Sequence, residues 1–376
     1  MQIWNRFIDD VSTLSFFCTE MDRLMICCEK KSIISICVAV SGGPDSMSLL
    51  MLAVKWARIN SLFIYCVTVD HRLRSESAQE AEFVADFCKV LNITHKILPW
   101  NRNQDTISPG KLESLAREAR YQLISEFCEN NDVSILLIGH TWNDQLETFK
   151  MRKKAGSSAS GLAGMSQIRS LTWRIKLLRP LLHFTKKHLE DFLKSQNITW
   201  KIDPMNDQSS FLRVLYRKRI MQYNDEEISS ISNKIMLLGK RRNEIETAAV
   251  CFMKRFCAFS SCGSAIVEKG PLLTEEKVVQ AEILKRMVWN IGMKRYARAI
   301  NEDLCDQILS KKINTLGGCL LKIKKDKIFI LKENRQNPSA HTWRLSHMGQ
   351  NHKMMHEING SNLFCLNKIN MFDVFL

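Results

Sequence analysis

Hydrophobic residues gather early in this chain into four short unbroken runs, Ile33 to Val40, Leu62 to Val69, Ile93 to Leu98 and Val133 to Ile138. Runs of this length without polar alternation predict parallel strands buried on both faces. Between them, Met47 to Ile59, Ser77 to Leu91 and Leu112 to Glu129 carry apolar residues at three- and four-residue spacing, which predicts helices. Ser77 and Glu80 stand at capping-box spacing at the start of the second. Strands alternating with helices predict an α/β domain, a doubly wound parallel sheet whose ligands bind beyond the carboxyl ends of the strands. Three polar segments begin where a predicted strand ends: Ser41 after the first, Asp70-His71 after the second and Gly139-His140 after the fourth. They are expected to line one crevice.

The pattern then changes. Residues 151 to 220 hold fifteen Lys or Arg against Glu190, Asp191, Asp203 and Asp207. From about Asp225 to Ser310 the chain reads as helical and Met-rich, and after Gly317-Gly318 two strands are expected at Cys319 to Ile323 and Lys327 to Lys332. The expected organisation is an α/β domain with a basic C-terminal segment at 1–220, a helical domain at 221–312 and a small C-terminal α+β domain at 313–376.

Length and charge narrow the function. At 376 residues the chain exceeds the usual single domain, and its net charge of +15 favours a polyanionic partner such as nucleic acid. Its thirteen cysteines lie mostly in apolar runs, as in Ile36-Cys37-Val38, with no Cys-x-x-Cys pair; reduced core thiols, not a disulfide scaffold or a zinc or iron–sulfur site, are expected. The first residues do not have the form of a signal peptide, and no apolar stretch approaches the ~20 residues of a membrane span, so a soluble, cytoplasmic protein without a membrane partner is expected.

Ser41-Gly42-Gly43-Pro44-Asp45-Ser46 sits between a predicted strand and a predicted helix. Backbone amides, two hydroxyls and a helix N-terminus there suit a phosphate, and adjacent glycines permit close approach. The loop contains no lysine and no Gly-Lys-Ser/Thr, so it is not that of the common nucleotide triphosphatases. It resembles the pyrophosphate-loop family of ATP-dependent ligases, whose Ser-Gly-Gly-x-Asp-Ser it matches at every fixed position. That resemblance implies an adenine nucleotide alpha hydrolase-like fold and ATP cleaved to AMP and pyrophosphate with Mg2+ present. ATP-binding roles follow for Ser41, Gly42, Gly43, Pro44, Asp45 and Ser46.

Further segments narrow the family. Val69-Asp70-His71-Arg72-Leu73-Arg74, Leu115-Ala116-Arg117-Glu118-Ala119-Arg120-Tyr121, Gly139-His140-Thr141-Trp142-Asn143-Asp144-Gln145-Leu146-Glu147, Gly161-Leu162-Ala163-Gly164-Met165 and Leu178-Arg179-Pro180-Leu181-Leu182 follow in order. Together with the loop they resemble the tRNA(Ile)-lysidine synthases over residues 33 to 220. The resemblance implies adenylation of C2 of the wobble cytidine in an isoleucine tRNA with a CAU anticodon, followed by attack of free L-lysine. Catalytic roles are then expected for Asp45, Arg120, His140, Asp144 and Glu147, with Asp45 and Asp144 as Mg2+ ligands. Asp144 and Glu147, three residues apart, would share a helix face and could hold Mg2+ or the ε-ammonium of lysine. Contacts to tRNA are expected from His71, Arg72, Arg74, Arg152, Lys153, Arg179, Arg213 and Arg217, and from the helical domain. A homodimer is left open.

Two positions depart from the family pattern: Asn143 stands where many relatives carry an acid, and Arg213-Val214-Leu215-Tyr216-Arg217 replaces Arg-Asn-Arg-Leu-Arg. Trp343 offers either a stacking platform or a core residue. A pyrophosphate-loop tRNA thiolation enzyme and a catalytically decayed tRNA-binding protein are the competing readings. The first wants cysteines near the site; the second would have lost Asp45, Asp144 or Glu147.

Overall fold

A computed structural model describes residues 10–28, 33–72, 76–101, 109–172, 174–201, 211–220, 222–260, 263–292, 300–310 and 315–333. The chain forms two compact units, the first running to Gly239 and the second beginning at Lys240. Trp343 and Arg74 lie outside the described residues, as does the side chain of Arg213.

In the first unit a six-stranded sheet has the order β3-β2-β1-β4-β6-β5. Its strands are β1 (Ser35–Ala39), β2 (Phe63–Asp70), β3 (Thr94–Pro99), β4 (Ile135–Ile138), β5 (Ile168–Ser170) and β6 (Lys176–Leu178). All pairings are parallel except that of β5, an antiparallel edge strand on β6. Every residue of β4 is buried, the expected cost of covering both faces. Alternation along β1 divides the core. Ile36 and Val38 face a layer with Phe17, Met21 and Leu24 of helix α1 (Asp10–Cys27) and with helix α2 (Pro44–Ile59). Cys37 faces Ile124 and Cys128 of helix α4 (Pro109–Asn130) on the other side. Helix α3 (Glu76–Val90) adds Val84 and Cys88 to the first layer.

Three differences from the sequence reading have local causes. The helix expected from Ser77 begins at Glu76, so Ser77 does not cap it; its hydroxyl instead donates to Asp70 Oδ1 at 2.7 Å. The segment 151–220, read only by its charge, is built of regular elements: besides β5 and β6 it contains helices α6 (Ala159–Leu162), α7 (Lys186–Ser195) and α8 (Phe211–Ile220), which follow helix α5 (Trp142–Lys154). Helix α1, unread in the sequence, covers one face of the sheet through Phe17, Met21 and Leu24, at four- and three-residue spacing.

Helix α9 (Asp225–Phe256) carries the chain past the unit boundary. The second unit has a five-stranded antiparallel sheet in the order β7-β8-β11-β10-β9. Strands β7 (Cys257–Ser260) and β8 (Ser264–Glu268) fall in the stretch read as helical, and β8 pairs with β11 (Lys327–Lys332). Strands β9 (Thr315–Leu316) and β10 (Cys319–Lys324) complete it, with helices α10 (Lys269–Thr274), α11 (Lys277–Gly292) and α12 (Glu302–Leu309). Ala265, Ile283, Leu284, Met287, Ile328 and Ile330 share one core, so residues 313–333 are not packed apart from 240–310. No described helix is long and apolar enough to cross a membrane.

Candidate active site

The strand order reverses between β1 and β4, and the two segments that follow these strands form the site, as expected at a switch point. After β1 the chain turns through Gly42 at φ 87°, a left-handed conformation that favours glycine. Pro44 occupies the first turn of α2, where its missing N–H costs nothing, and Asp45 follows in the favourable field of the helix start. The serines close the loop on itself. The Ser41 amide donates to Ser46 Oγ at 3.2 Å, the Ser46 hydroxyl donates to the Gly43 carbonyl at 3.0 Å, and the two hydroxyl oxygens lie 3.3 Å apart.

The turn after β4 touches this loop through Gly139, where an added Cβ would stand 3.1 Å from the Asp45 carbonyl oxygen. Thr141 then opens α5 with a capping box: its amide and hydroxyl both donate to Asp144 Oδ2, at 2.8 and 2.9 Å. Asp45 and Asp144, distant in sequence, therefore face a common point. Between them stands Lys186, the first residue of α7, with Nζ 3.6 Å from Asp45 Oδ2 and 3.9 Å from Asp144 Oδ1.

The ammonium lowers both acids, but their other surroundings differ. Burial pushes Asp45 up to about 6, with Lys186 opposing and Asp144 and Glu190 adding to the rise. Burial also pushes Asp144 upward, but Lys186, the Thr141 hydrogen bonds and His140 outweigh it and hold this carboxyl below its ordinary value. Asp45 Oδ1 is buried and has no hydrogen-bond partner. Lys186 was not among the residues expected from the sequence. A signal existed: a lysine pair directly after the cap Thr185, at a helix end whose dipole disfavours cations. Asn143 has a structural role here: its Oδ1 accepts the Lys186 backbone N–H at 2.9 Å.

Several residues expected to reach tRNA are turned inward. Arg179 is buried, donating to the Ser166 carbonyl at 2.7 Å and to His140 Nδ1 at 3.2 Å; burial pushes its guanidinium down to about 10. Because Nδ1 accepts, a neutral His140 carries its proton on Nε2. Arg152 donates to the carbonyls of Gly161 and Gly164, and Gln145 brackets Met165 through both its amide atoms. Arg217 of α8 pairs at 2.9 Å with Glu147, which is buried. Glu147 is thus committed to α8, while Asp144, one turn earlier, serves the pair with Asp45. Lys153 is exposed.

A second group lies beyond β2. Arg120 of α4 donates to His71 Nε2 at 3.1 Å, and Trp100 meets the His71 ring edge to face at 5.7 Å. Burial, reinforced by Arg120 and opposed by Asp70, pushes His71 down to about 4. Arg72, exposed, has φ 52° and returns to Asp70 through its backbone N–H at 2.9 Å.

A family model described as the PP-loop domain matches residues 19–224. A tRNA(Ile)-lysidine synthase of Wolbachia pipientis wMel is 31% identical over 312 residues, covering 80% of this chain and 70% of that one. The chain belongs to the tRNA(Ile)-lysidine synthase family. Another member, from Orientia tsutsugamushi, is 28% identical over 79% of this chain and 69% of its own. Among solved structures, a U34-tRNA thiolase of Methanococcus maripaludis with its [4Fe-4S] cluster gives a TM-score of 0.48 at 14% identity, over 61% of this chain and 78% of that one. A likeness of that size carries no argument about chemistry.

For a lysidine synthase family member the donor set is informative. Among the described residues no group of three or more His, Cys, Asp or Glu could hold a metal. Two carboxylates with one unpartnered oxygen suit Mg2+, which is commonly held by one or two carboxylates together with substrate phosphates. The described cysteines form no disulfide, and Cys37, Cys66, Cys88 and Cys128 are buried in the core of the α/β unit.

Proposed function

We infer that the protein is an ATP-dependent tRNA(Ile)-lysidine synthase, joining lysine to C2 of the wobble cytidine of the CAU-anticodon isoleucine tRNA. The observation that carries this reading is family membership together with a closed Ser41–Ser46 loop beside the Asp45–Asp144 pair.

Cytosine O2 attacks the α-phosphorus of ATP; the new O–P bond forms as the bond to pyrophosphate breaks. The loop amides and the Ser41 and Ser46 hydroxyls hold the leaving pyrophosphate, aided by the N-terminal field of α2. The ε-amine of lysine then attacks C2, the C2–O bond breaks, AMP departs, and the protons shed by the amine pass to solvent. Lysidine pairs with A, so the codon read changes from AUG to AUA. Asp45 and Asp144 would hold Mg2+, which supplies charge neutralisation at the phosphates. His140 Nε2–H and the Arg120 guanidinium are donors suited to the negative charge of the adenylated intermediate. The net charge of +15 supports a polyanionic substrate.

The test is incubation of tRNA transcripts with ATP, Mg2+ and labelled lysine. Lysine enters the CAU-anticodon isoleucine tRNA and not a transcript whose wobble cytidine is replaced. Incorporation that survives that replacement, or is absent from both, overturns the reading.

A further inference from the structure

The loop from Ser41 to Ser46 contains no lysine, yet a lysine from far along the chain reaches it. Three helices begin around one point, and each delivers a charged side chain there: Asp45 from α2, Asp144 from α5 and Lys186 from α7. Acids suit a helix N-terminus, whereas a cation there is disfavoured. Helix α7 does not need that cation to form. Thr185 caps it by accepting the His188 amide at 3.3 Å, and Asn143 accepts the Lys186 amide. The ammonium is instead spent on two carboxylates, at distances that leave it ionic and loosely held. Its side chain is 27% exposed, so solvent and ligands can reach it. One oxygen of the pair, Asp45 Oδ1, has no partner at all.

We propose that Lys186 is the phosphate-binding cation of this site. It bridges Asp45 and Asp144 in the nucleotide-free protein and passes to the pyrophosphate portion of ATP when a divalent cation takes its place between the carboxylates. This rests on the reading that the site binds ATP. An ammonium and a dication compete for the same oxygens and repel one another, so both cannot remain between the acids. The flexible four-carbon stem of lysine lets the charge change partners without movement of α7.

The experiment compares wild-type full-length protein with Lys186→Met, Lys186→Gln and Lys186→Arg. Three quantities are measured: Mn2+ binding without nucleotide, binding of inorganic pyrophosphate with Mg2+, and the melting temperature. Lys186→Met binds Mn2+ about tenfold more tightly and pyrophosphate about tenfold more weakly, each about 1.4 kcal/mol. Lys186→Gln behaves likewise, which covers the case in which Met fails to fold, and Lys186→Arg restores pyrophosphate binding. A folded Met or Gln variant with unchanged pyrophosphate binding, or with weaker Mn2+ binding, overturns the proposal and leaves Lys186 a structural tie. Wild-type protein that does not bind pyrophosphate overturns the nucleotide reading itself.

Discussion

Within one α/β unit, the strand-end segments and the basic stretch at 151–220 behave differently. Asp45 and Asp144, in motif segments that follow strands, converge on one ammonium. Arg152, Arg179 and Arg217, in the basic stretch, turn inward to loop carbonyls, to His140 and to Glu147. The reason is physical. Parallel strands connected through right-handed crossovers bring every carboxyl end to one edge, so position along the strand dictates position in space. A charge count dictates only the field around the molecule. Arginine, with five donors in a planar fork, is equally suited to phosphate outside and to carbonyls within.

The comparison breaks first at the switch point. Asp144→Asn removes a carboxylate from the pair and lowers lysine incorporation into tRNA about 10³-fold, on the scale of losing one charge-stabilising group. Its melting temperature changes little, because the Thr141 cap retains an acceptor. Retention of more than a tenth of the activity would place the chemistry elsewhere.

Next comes Glu147→Ala, which removes the buried carboxylate that Arg217 pairs with at 2.9 Å. Losing this partly buried, charge-assisted pair costs about 1–3 kcal/mol, read by urea denaturation. Were Arg217 a tRNA ligand turned to solvent, the same substitution would leave stability unchanged.

His71 tests the strand-end group by pH. Its imidazole is pushed from 6.5 down to about 4, chiefly by burial. The unfolded chain therefore takes up the proton first, so the stabilisation is complete above pH 6.5 and is lost as pH falls toward 4. His71→Asn flattens that decline by about 1–3 kcal/mol between the two limits, measured as unfolding free energy against pH. An unaltered pH profile would mean that the ring is solvated.

The smallest effect belongs to Lys153, which is exposed. Lys153→Ala weakens tRNA binding by about two- to fivefold and makes the salt dependence shallower by about one unit of slope. Stability moves by no more than about 0.5 kcal/mol, as expected for a surface change. A large stability loss would put Lys153 with the inward-facing arginines.

Much of the fold was legible because buried parallel strands leave unbroken apolar runs, as at Ile135 to Ile138. Helix α1 carried a readable signal in Phe17, Met21 and Leu24. Strands β7 and β8 did not: Cys-Ala-Phe-Ser and Ser-Ala-Ile-Val-Glu are short runs whose periodicity cannot be told from a helix segment. In the site, the motif identified Asp45 and Asp144 but not the lysine between them, nor that Glu147 would turn to Arg217.

By itself, the sequence determined the α/β architecture, the phosphate loop from Ser41 to Ser46, the acids at the strand ends and the family, since each depends on residue types at short spacing. Only the tertiary structure decided which charges meet. Lys186 joins Asp45 and Asp144 because three helices start around one switch point, and Arg179 and Arg217 face inward because loop carbonyls and a buried carboxylate needed donors. Those partnerships are set by packing across long separations in the chain, where local pattern carries no information.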